Sequence, residues 1–531
     1  MMRHTLSLLL AVPVALQAQL GAPPERWATL LLVGKDTIAL ERTSVRPGSI
    51  AGEMLLRADG SRSTWTMDVG SDGSLTHMLL QQRKAVDAPN TPPRQSLDLT
   101  FAGDSVTGVV TAPGSAPKSR KTAVPRNATP FFNPSMALTE IAVRRLLATG
   151  VREGKAPLML FNGQTIEVTV TRAGPDSMVI GLGGTDLRVA TDSAGRFLGG
   201  WIPTQKLTLV RLPWLDDVAL SVPKPDYSAP AGAPYTAEDV TIPTPRDYTL
   251  GATLTKPAGA AGPLPVVVTI TGSGPEDRDE LIPSVGDYRP FRQLADTLGR
   301  RGVAVLRYDE RGVGASGGNF GTATSADFAD DIRTIVSWLR TRADIDPERI
   351  VLAGHSEGGM LAPMVAAEDA RLAGIVLIAG PAQRGRTIID FQLRNSLRGD
   401  TSKTAAQRDS ALARVPRMLD SLLGATPWMR YFGSYDPIAT IKRVKVPVLI
   451  LQGGTDQQVT PEQAGALEAA LRASGNRRVM ARTFPETNHL MVADPSGYPG
   501  GYASLPSVRV RPEVLGAVAD WVVALVGAKA R

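Results

Sequence analysis

A serine acts as a nucleophile only beside a base, and candidates for the base are few in this chain. Gly354-His-Ser-Glu-Gly358 offers one hydroxyl, Ser356, between small residues. Its chemistry would be acyl transfer: attack on a carbonyl carbon, then release of an alcohol or amine. The base must come from four histidines, His4, His77, His355 and His489. His4 belongs to an apolar N-terminal leader, His77 stands alone in a β-rich stretch and reads as structural, and His355 adjoins the serine. That leaves His489, in Phe484-Pro-Glu-Thr-Asn-His-Leu490.

The third member is a carboxylate that fixes the imidazole tautomer and stabilises the imidazolium. With G-x-S-x-G on a strand–turn–helix, the acid follows the serine and precedes the histidine. Asp456 fits, since it follows the apolar run Val446-Pro-Val-Leu-Ile-Leu451 through Gln452-Gly-Gly-Thr. Glu486 competes from the histidine's own loop and reads as loop-shaping, while Asp436 before Pro437 reads as a turn residue. A tetrahedral oxyanion needs donors set in advance. The main-chain N–H groups of Glu357, directly after the serine, and of Ser273, in the loop Thr271–Asp279, are the expected pair. Glu276, Asp277 and Asp279 with Arg278 read as a salt-bridged loop rather than a metal site. With no cysteine, thiolate nucleophiles, thiolate metal sites and disulfides are excluded. No metal or cofactor is expected.

These residues need elements to hold them. Pro265–Ile270 is a continuous β-branched run of the kind buried on both faces of a sheet. Helical spacing follows at 291–300, strands at 303–307 and 349–353, and helices at 328–339 and 360–368. Strands at 374–378, 446–451 and 478–484 alternate with helices at 461–474 and 512–526. Repeated β-α units predict a mostly parallel sheet covered by helices. Ser356 then falls between a strand and a helix, where a nucleophile elbow requires it. An insertion over 381–444 carries helical stretches at 387–397 and 405–423. Its aromatics Trp428, Tyr431, Phe432 and Tyr435 read as pocket-lining or helix-packing residues.

Together these pieces carry a resemblance over residues 239–531. The motifs are Gly272-Ser-Gly-Pro-Glu-Asp-Arg-Asp279, Arg307-Tyr-Asp-Glu-Arg-Gly-Val-Gly-Ala-Ser316, Asp346-Pro-Glu-Arg-Ile350, Gly354-His-Ser-Glu-Gly-Gly359, Gln452-Gly-Gly-Thr-Asp456 and Asn488-His489. The chain resembles secreted bacterial α/β-hydrolases of the serine aminopeptidase/esterase-like group. The resemblance implies an α/β-hydrolase fold in which the insertion forms a cap over the site. Relatives with Cys or Asp at the elbow run dienelactone or dehalogenase chemistry, and Ser356 argues against both.

The remainder of the 531 residues reads differently. Arg3 and His4 precede an apolar run ending near Leu16, and small Ala15 and Ala18 follow it, as in a signal peptide over 1–18. Export to the periplasm or medium is therefore expected. No other apolar stretch approaches a membrane span. From 19 to 220, short β-rich runs alternate with turn signals such as Asp72-Gly73, and only Ser135–Leu147 has helical spacing. An antiparallel sheet or partly closed barrel is expected there, followed by a Pro-rich linker over 221–238. The net charge of +7 comes with no long basic run, so no nucleic-acid partner is expected. The leading function is cleavage of carboxylic esters, with an amidase or peptidase as runner-up. The opposing class is a cell-envelope binding protein in which the hydrolase half is a scaffold.

Overall fold

A computed structural model of the chain describes residues 24–527, apart from 35, 58–59, 86, 88–90, 113–115, 162, 183–184, 218–219, 221–224, 261, 283–284 and 400–403. The leader expected over 1–18 lies outside the described residues. Two compact units divide the chain, Met1–Pro225 and Asp226–Arg531.

Among the described residues of the first unit, fifteen strands, from Glu25–Val33 to Leu207–Leu212, form one sheet. Side chains alternate as a half-buried strand requires: Ser61–Val69 buries Ser63, Trp65 and Met67 and turns Thr66 and Asp68 outward. Laid flat, so many strands would span about 70 Å at ~4.8 Å each. Yet the helix Met136–Leu147 shares one apolar core with Val106 near one edge and Phe131 at the other. The sheet therefore curls around the helix. One strand pair departs from the expected antiparallel pattern, since Thr129–Phe131 runs parallel to Gly154–Leu160. The helix lies between these two strands in the chain, and a crossover of that kind returns the second strand in the same direction. His77 sits in this sheet with Nε2 3.0 Å from Asp98 Oδ1, a structural position.

The described residues of the second unit form eight strands: β1 (Tyr235–Pro243), β2 (Thr249–Pro257), β3 (Leu264–Ile270), β4 (Ala304–Tyr308), β5 (Ile345–His355), β6 (Gly374–Ile378), β7 (Val448–Gly453) and β8 (Val479–Phe484). Their order is β1-β2-β4-β3-β5-β6-β7-β8. Strand β2 is antiparallel to both neighbours, and the other pairs are parallel. Helix α1 (Pro290–Gly299) buries Phe291, Leu294, Ala295 and Leu298, one face at helical spacing. It covers one side of the sheet together with the C-terminal helix Pro512–Gly527. On the other side lie α2 (Ser325–Leu339) and α3 (Gly358–Ala366), joined by Glu462–Ala473.

Two expectations need correction. Of the stretch 221–238 expected as a linker, residues 221–224 lie outside the described ones, and the end belongs to the sheet, because Tyr235 onward pairs with β2. Tyr227 also belongs to the second unit, with its hydroxyl bonded to Asp277 at 3.0 Å and Arg278 4.2 Å above its ring. The single helix read over 405–423 is two helices, Ala405–Leu412 and Val415–Ala425. Pro416 stands in the first turn of the second helix, where its missing N–H costs nothing, and so starts a new helix. These two form the insertion between β6 and β7 with Gly385–Gly399, Pro427–Ser434 and Pro437–Ile441.

Candidate active site

The turn from β5 into α3 holds Ser356 at φ 52°, a left-handed conformation uncommon outside glycine. Its N–H donates to the Ile378 carbonyl at 2.8 Å, which ties the turn to the end of β6. The flanking glycines are demanded by close backbone approach. A Cβ on Gly354 would stand 2.0 Å from the Gly358 oxygen, and one on Gly358 would stand 2.2 Å from the Ile270 oxygen. The motif thus encodes a turn that no larger residue can make at those positions. The side chain at its apex is half-buried and accessible.

Asp456 and His489 meet on neighbouring loops. Asp456 Oδ2 accepts from His489 Nδ1 at 2.8 Å. The carboxylate is itself fixed: Oδ2 also accepts from Gln452 Nε2 at 2.9 Å, and Oδ1 accepts the N–H groups of Gln458 and Val459. Asp456 is buried, at 2% exposure. The rival Glu486 is exposed, and its main-chain oxygen, rather than its carboxylate, takes part in the turn, accepting from Asp494 N–H. Asn488 shapes the loop beside it, as its Oδ1 accepts from the N–H groups of Leu490 and Val492. Gly453 at the end of β7 packs directly against this loop, since a Cβ there would meet the Thr487 and Asn488 oxygens at 2.4 and 2.5 Å.

The loop after β3 closes the third side. A Cβ on Gly272 would come 3.4 Å from Ser356 Cβ, so the main chain leading to Ser273 runs beside the serine. Glu357, the other expected oxyanion donor, carries a buried carboxylate. Ser325 Oγ donates to it at 2.5 Å and Trp428 Nε1 at 2.8 Å. Burial pushes this carboxyl above its usual range, against hydrogen bonds from Ser325, Trp428 and Ser273. Of the acidic loop, Asp279 and Arg278 are salt-bridged, while Asp277 accepts from the Tyr227 hydroxyl and from the N–H groups of Asp279 and Leu281. Arg307 binds Asp279, and Arg278 binds Asp309 at 2.7 Å. Glu276 differs. Burial and the nearby carboxylates Glu280 and Glu310 push it well above the carboxylate range.

A model of the alpha/beta hydrolase family matches residues 281–498. Esterase EstD of Thermotoga maritima is 30% identical over 306 residues, a match that covers 56% of this chain and 70% of that protein. The chain belongs to the α/β-hydrolase family. The hydrolase is also 25% identical over 206 residues to the uncharacterized peptidase YuxL of Bacillus subtilis, covering 36% of this chain and 27% of that protein. Among solved structures, the Pyrococcus furiosus esterase Pf2001 matches at 17% identity with a TM-score of 0.39, over 56% of this chain and 94% of that one.

Reading the sequence of this hydrolase missed three positioning groups. Gln452 orients Asp456, Asn488 sets the histidine loop, and Trp428 reaches Glu357 from the insertion. Asn488 adjoins the histidine, which is a usable signal. For Trp428 the only signal was its place in an aromatic cluster.

Proposed function

We propose that the hydrolase cleaves carboxylic esters through Ser356, His489 and Asp456 and an acyl-enzyme intermediate. The observation that carries this reading is a left-handed serine between strand and helix, beside a loop whose histidine is bonded to a buried aspartate. His489 Nε2 takes the Ser356 proton as the oxygen attacks the carbonyl carbon. The oxyanion accepts from the main-chain N–H groups of Ser273 and Glu357. When the intermediate collapses, the proton passes to the departing alkoxide. Water then repeats the cycle and frees the acid. No step calls for a metal or cofactor.

Similarity to a named esterase supports the ester over the amide, with amide or peptide cleavage as the second reading, supported by similarity to a named peptidase. The test is a panel of acyl esters and aminoacyl amides compared by kcat/KM. Preference for amides would overturn the ester reading. Failure of a fluorophosphonate to label Ser356 at neutral pH would instead favour a binding protein on a hydrolase scaffold. We also propose export, checked by whether the mature protein begins after Ala18. The first unit then serves as an accessory domain.

A further inference from the structure

Behind the serine lies a second carboxylate–imidazole pair that the reaction above does not use. His355 is buried, with Nδ1 2.5 Å from Glu280 Oε1 and Nε2 2.9 Å from the main-chain oxygen of His489. A carbonyl oxygen only accepts, so His355 Nε2 carries a hydrogen and donates it. Burial opposes a charged imidazole here, but the Glu280 carboxylate and the His489 carbonyl outweigh it, and His355 titrates above its ordinary value. The His355 and His489 rings stand 4.9 Å apart.

Glu280 is placed with equal care. It is 1% exposed and adopts φ 58°, an uncommon conformation for its residue type. The same Oε1 accepts the N–H of Gly272 at 3.3 Å. One buried oxygen therefore meets the loop before Ser273, the elbow through His355 and, at one remove, the main chain of His489. That main chain has little regular structure to hold it. Its carbonyls are held by side chains from elsewhere: His489 by His355 and Leu490 by the Tyr288 hydroxyl at 2.9 Å. Asp456 fixes the rotation of the His489 ring, but the position of the ring follows its backbone.

We propose that His355 and Glu280 are positioning residues that hold the His489 backbone in register with Ser356 and the Gly272–Ser273 loop. The inference rests on His489 being the base. A shift of about 1 Å in a reacting group costs on the order of a hundredfold in rate, so the backbone bond at His489 matters more than its own strength.

The experiment compares His355→Gln, His355→Asn, Glu280→Gln and His489→Ala, with rates referred to active sites titrated by a fluorophosphonate. The Gln amide reaches the position of Nε2 and keeps a donor for the His489 carbonyl. The Asn amide reaches only the position of Nδ1 and loses that donor. Two substrates are used: an alkyl ester, whose alkoxide needs a proton from the base, and a p-nitrophenyl ester, whose phenolate does not. For the alkyl ester, His355→Asn should lower kcat by about a hundredfold at unchanged KM. The p-nitrophenyl ester should lose several-fold, and His355→Gln should recover most of both losses. If His355→Asn does not fold, Glu280→Gln is read in the same way, with a smaller loss in the same order of substrates. Equal losses for the two esters, or no rescue by Gln, would overturn the proposal and leave a purely structural pair. An active His489→Ala enzyme would overturn the base assignment, and the proposal with it. An inactive His489→Ala enzyme beside unchanged His355 variants would overturn the proposal alone.

Discussion

The indole Nε1 of Trp428 donates to the Glu357 carboxylate at 2.8 Å, so a residue of the insertion is bonded to the residue directly after the candidate nucleophile. Trp428 also stacks on Phe432, with ring centroids 5.1 Å apart and planes 12° from parallel. The insertion is therefore tied to the elbow by the indole N–H, while the stack, between two residues of the helix Pro427–Ser434, steadies the indole that donates it.

Replacing Trp428 by Phe separates the two. The stack survives and the donor is lost, at a cost of about 1 kcal/mol, that of a typical hydrogen bond. Because the Glu357 N–H is an oxyanion donor in the proposed mechanism, kcat/KM should fall by about tenfold. Trp428→Ala, which loses the stack as well, should fall further. Equal kcat/KM in Trp428→Phe and the unaltered enzyme would show that the bond does not reach the reaction.

Within the triad, the losses should be ordered. Ser356→Ala and His489→Ala should each reduce kcat by several orders of magnitude. Asp456→Asn should cost less than either, near ten-thousandfold (about 10^4). Glu486→Gln should stay near the unaltered rate, as expected of an exposed side chain that makes no bond to the histidine. A larger loss from Glu486→Gln than from Asp456→Asn would move the acid to Glu486.

The elbow predicts a steric failure rather than a chemical one. A Cβ on Gly358 would meet the Ile270 and Thr271 oxygens at 2.2 and 2.7 Å, and both are backbone atoms that cannot turn aside. Gly358→Ala should therefore lower the melting temperature and abolish fluorophosphonate labelling together. Labelling at the normal rate would mean that the strand–turn–helix can relax around a methyl group.

Much of this site could be read before any coordinates, and the reason is local. Gly354, Gly358 and Ser356 lie within five residues, so their turn leaves its mark in one short motif, and Asn488-His489 does the same for the candidate base. Glu280 and His355 are 75 residues apart, and no spacing rule joins a loop after β3 to the end of β5. The same holds for the first unit. Alternation in Ser61–Val69 shows a strand, but not that fifteen strands curl around one helix, because that depends on which edges remain unpaired. The split of 405–423 does leave a local mark, in Pro416, a helix starter inside an otherwise helical pattern.

Stability in the first unit should fall as pH rises toward neutrality. Glu41 is buried at the start of the helix Met136–Leu147, where its oxygens bond Ser135 Oγ at 2.5 Å and the Ala137 N–H at 2.9 Å. Burial outweighs these bonds and raises its pKa from 4.5 to about 7. A carboxyl raised on folding binds its proton more tightly in the native state. Its contribution is complete below about pH 4.5 and lost as pH passes through about 7, for a total near 3 kcal/mol. Glu140, also buried and raised, acts in the same direction. Urea unfolding followed between pH 5 and 8 should show declining stability, flattened by Glu41→Gln. Stability that rises across that window would contradict the assignment.

The two units each hold their own core: Trp65, Met78, Leu138 and Val189 in one, Val268, Ile332, Leu352 and Ile450 in the other. All the candidate catalytic residues lie in the second. A domain with its own core can fold alone, so a chain of residues 226–531 should be soluble and should hydrolyse a small activated ester. Its turnover should stay within about tenfold of the full chain, or roughly 1.4 kcal/mol in barrier. The starting point matters. Beginning at Ala233 would remove Tyr227, whose ring lies under Arg278, and Asp226, whose carbonyl Arg292 binds. The shorter chain should therefore melt at a lower temperature than the one beginning at Asp226, with the same preference among esters. An insoluble 226–531 chain, or one whose Ser356 ignores a fluorophosphonate, would mean that the second unit depends on the first for its fold.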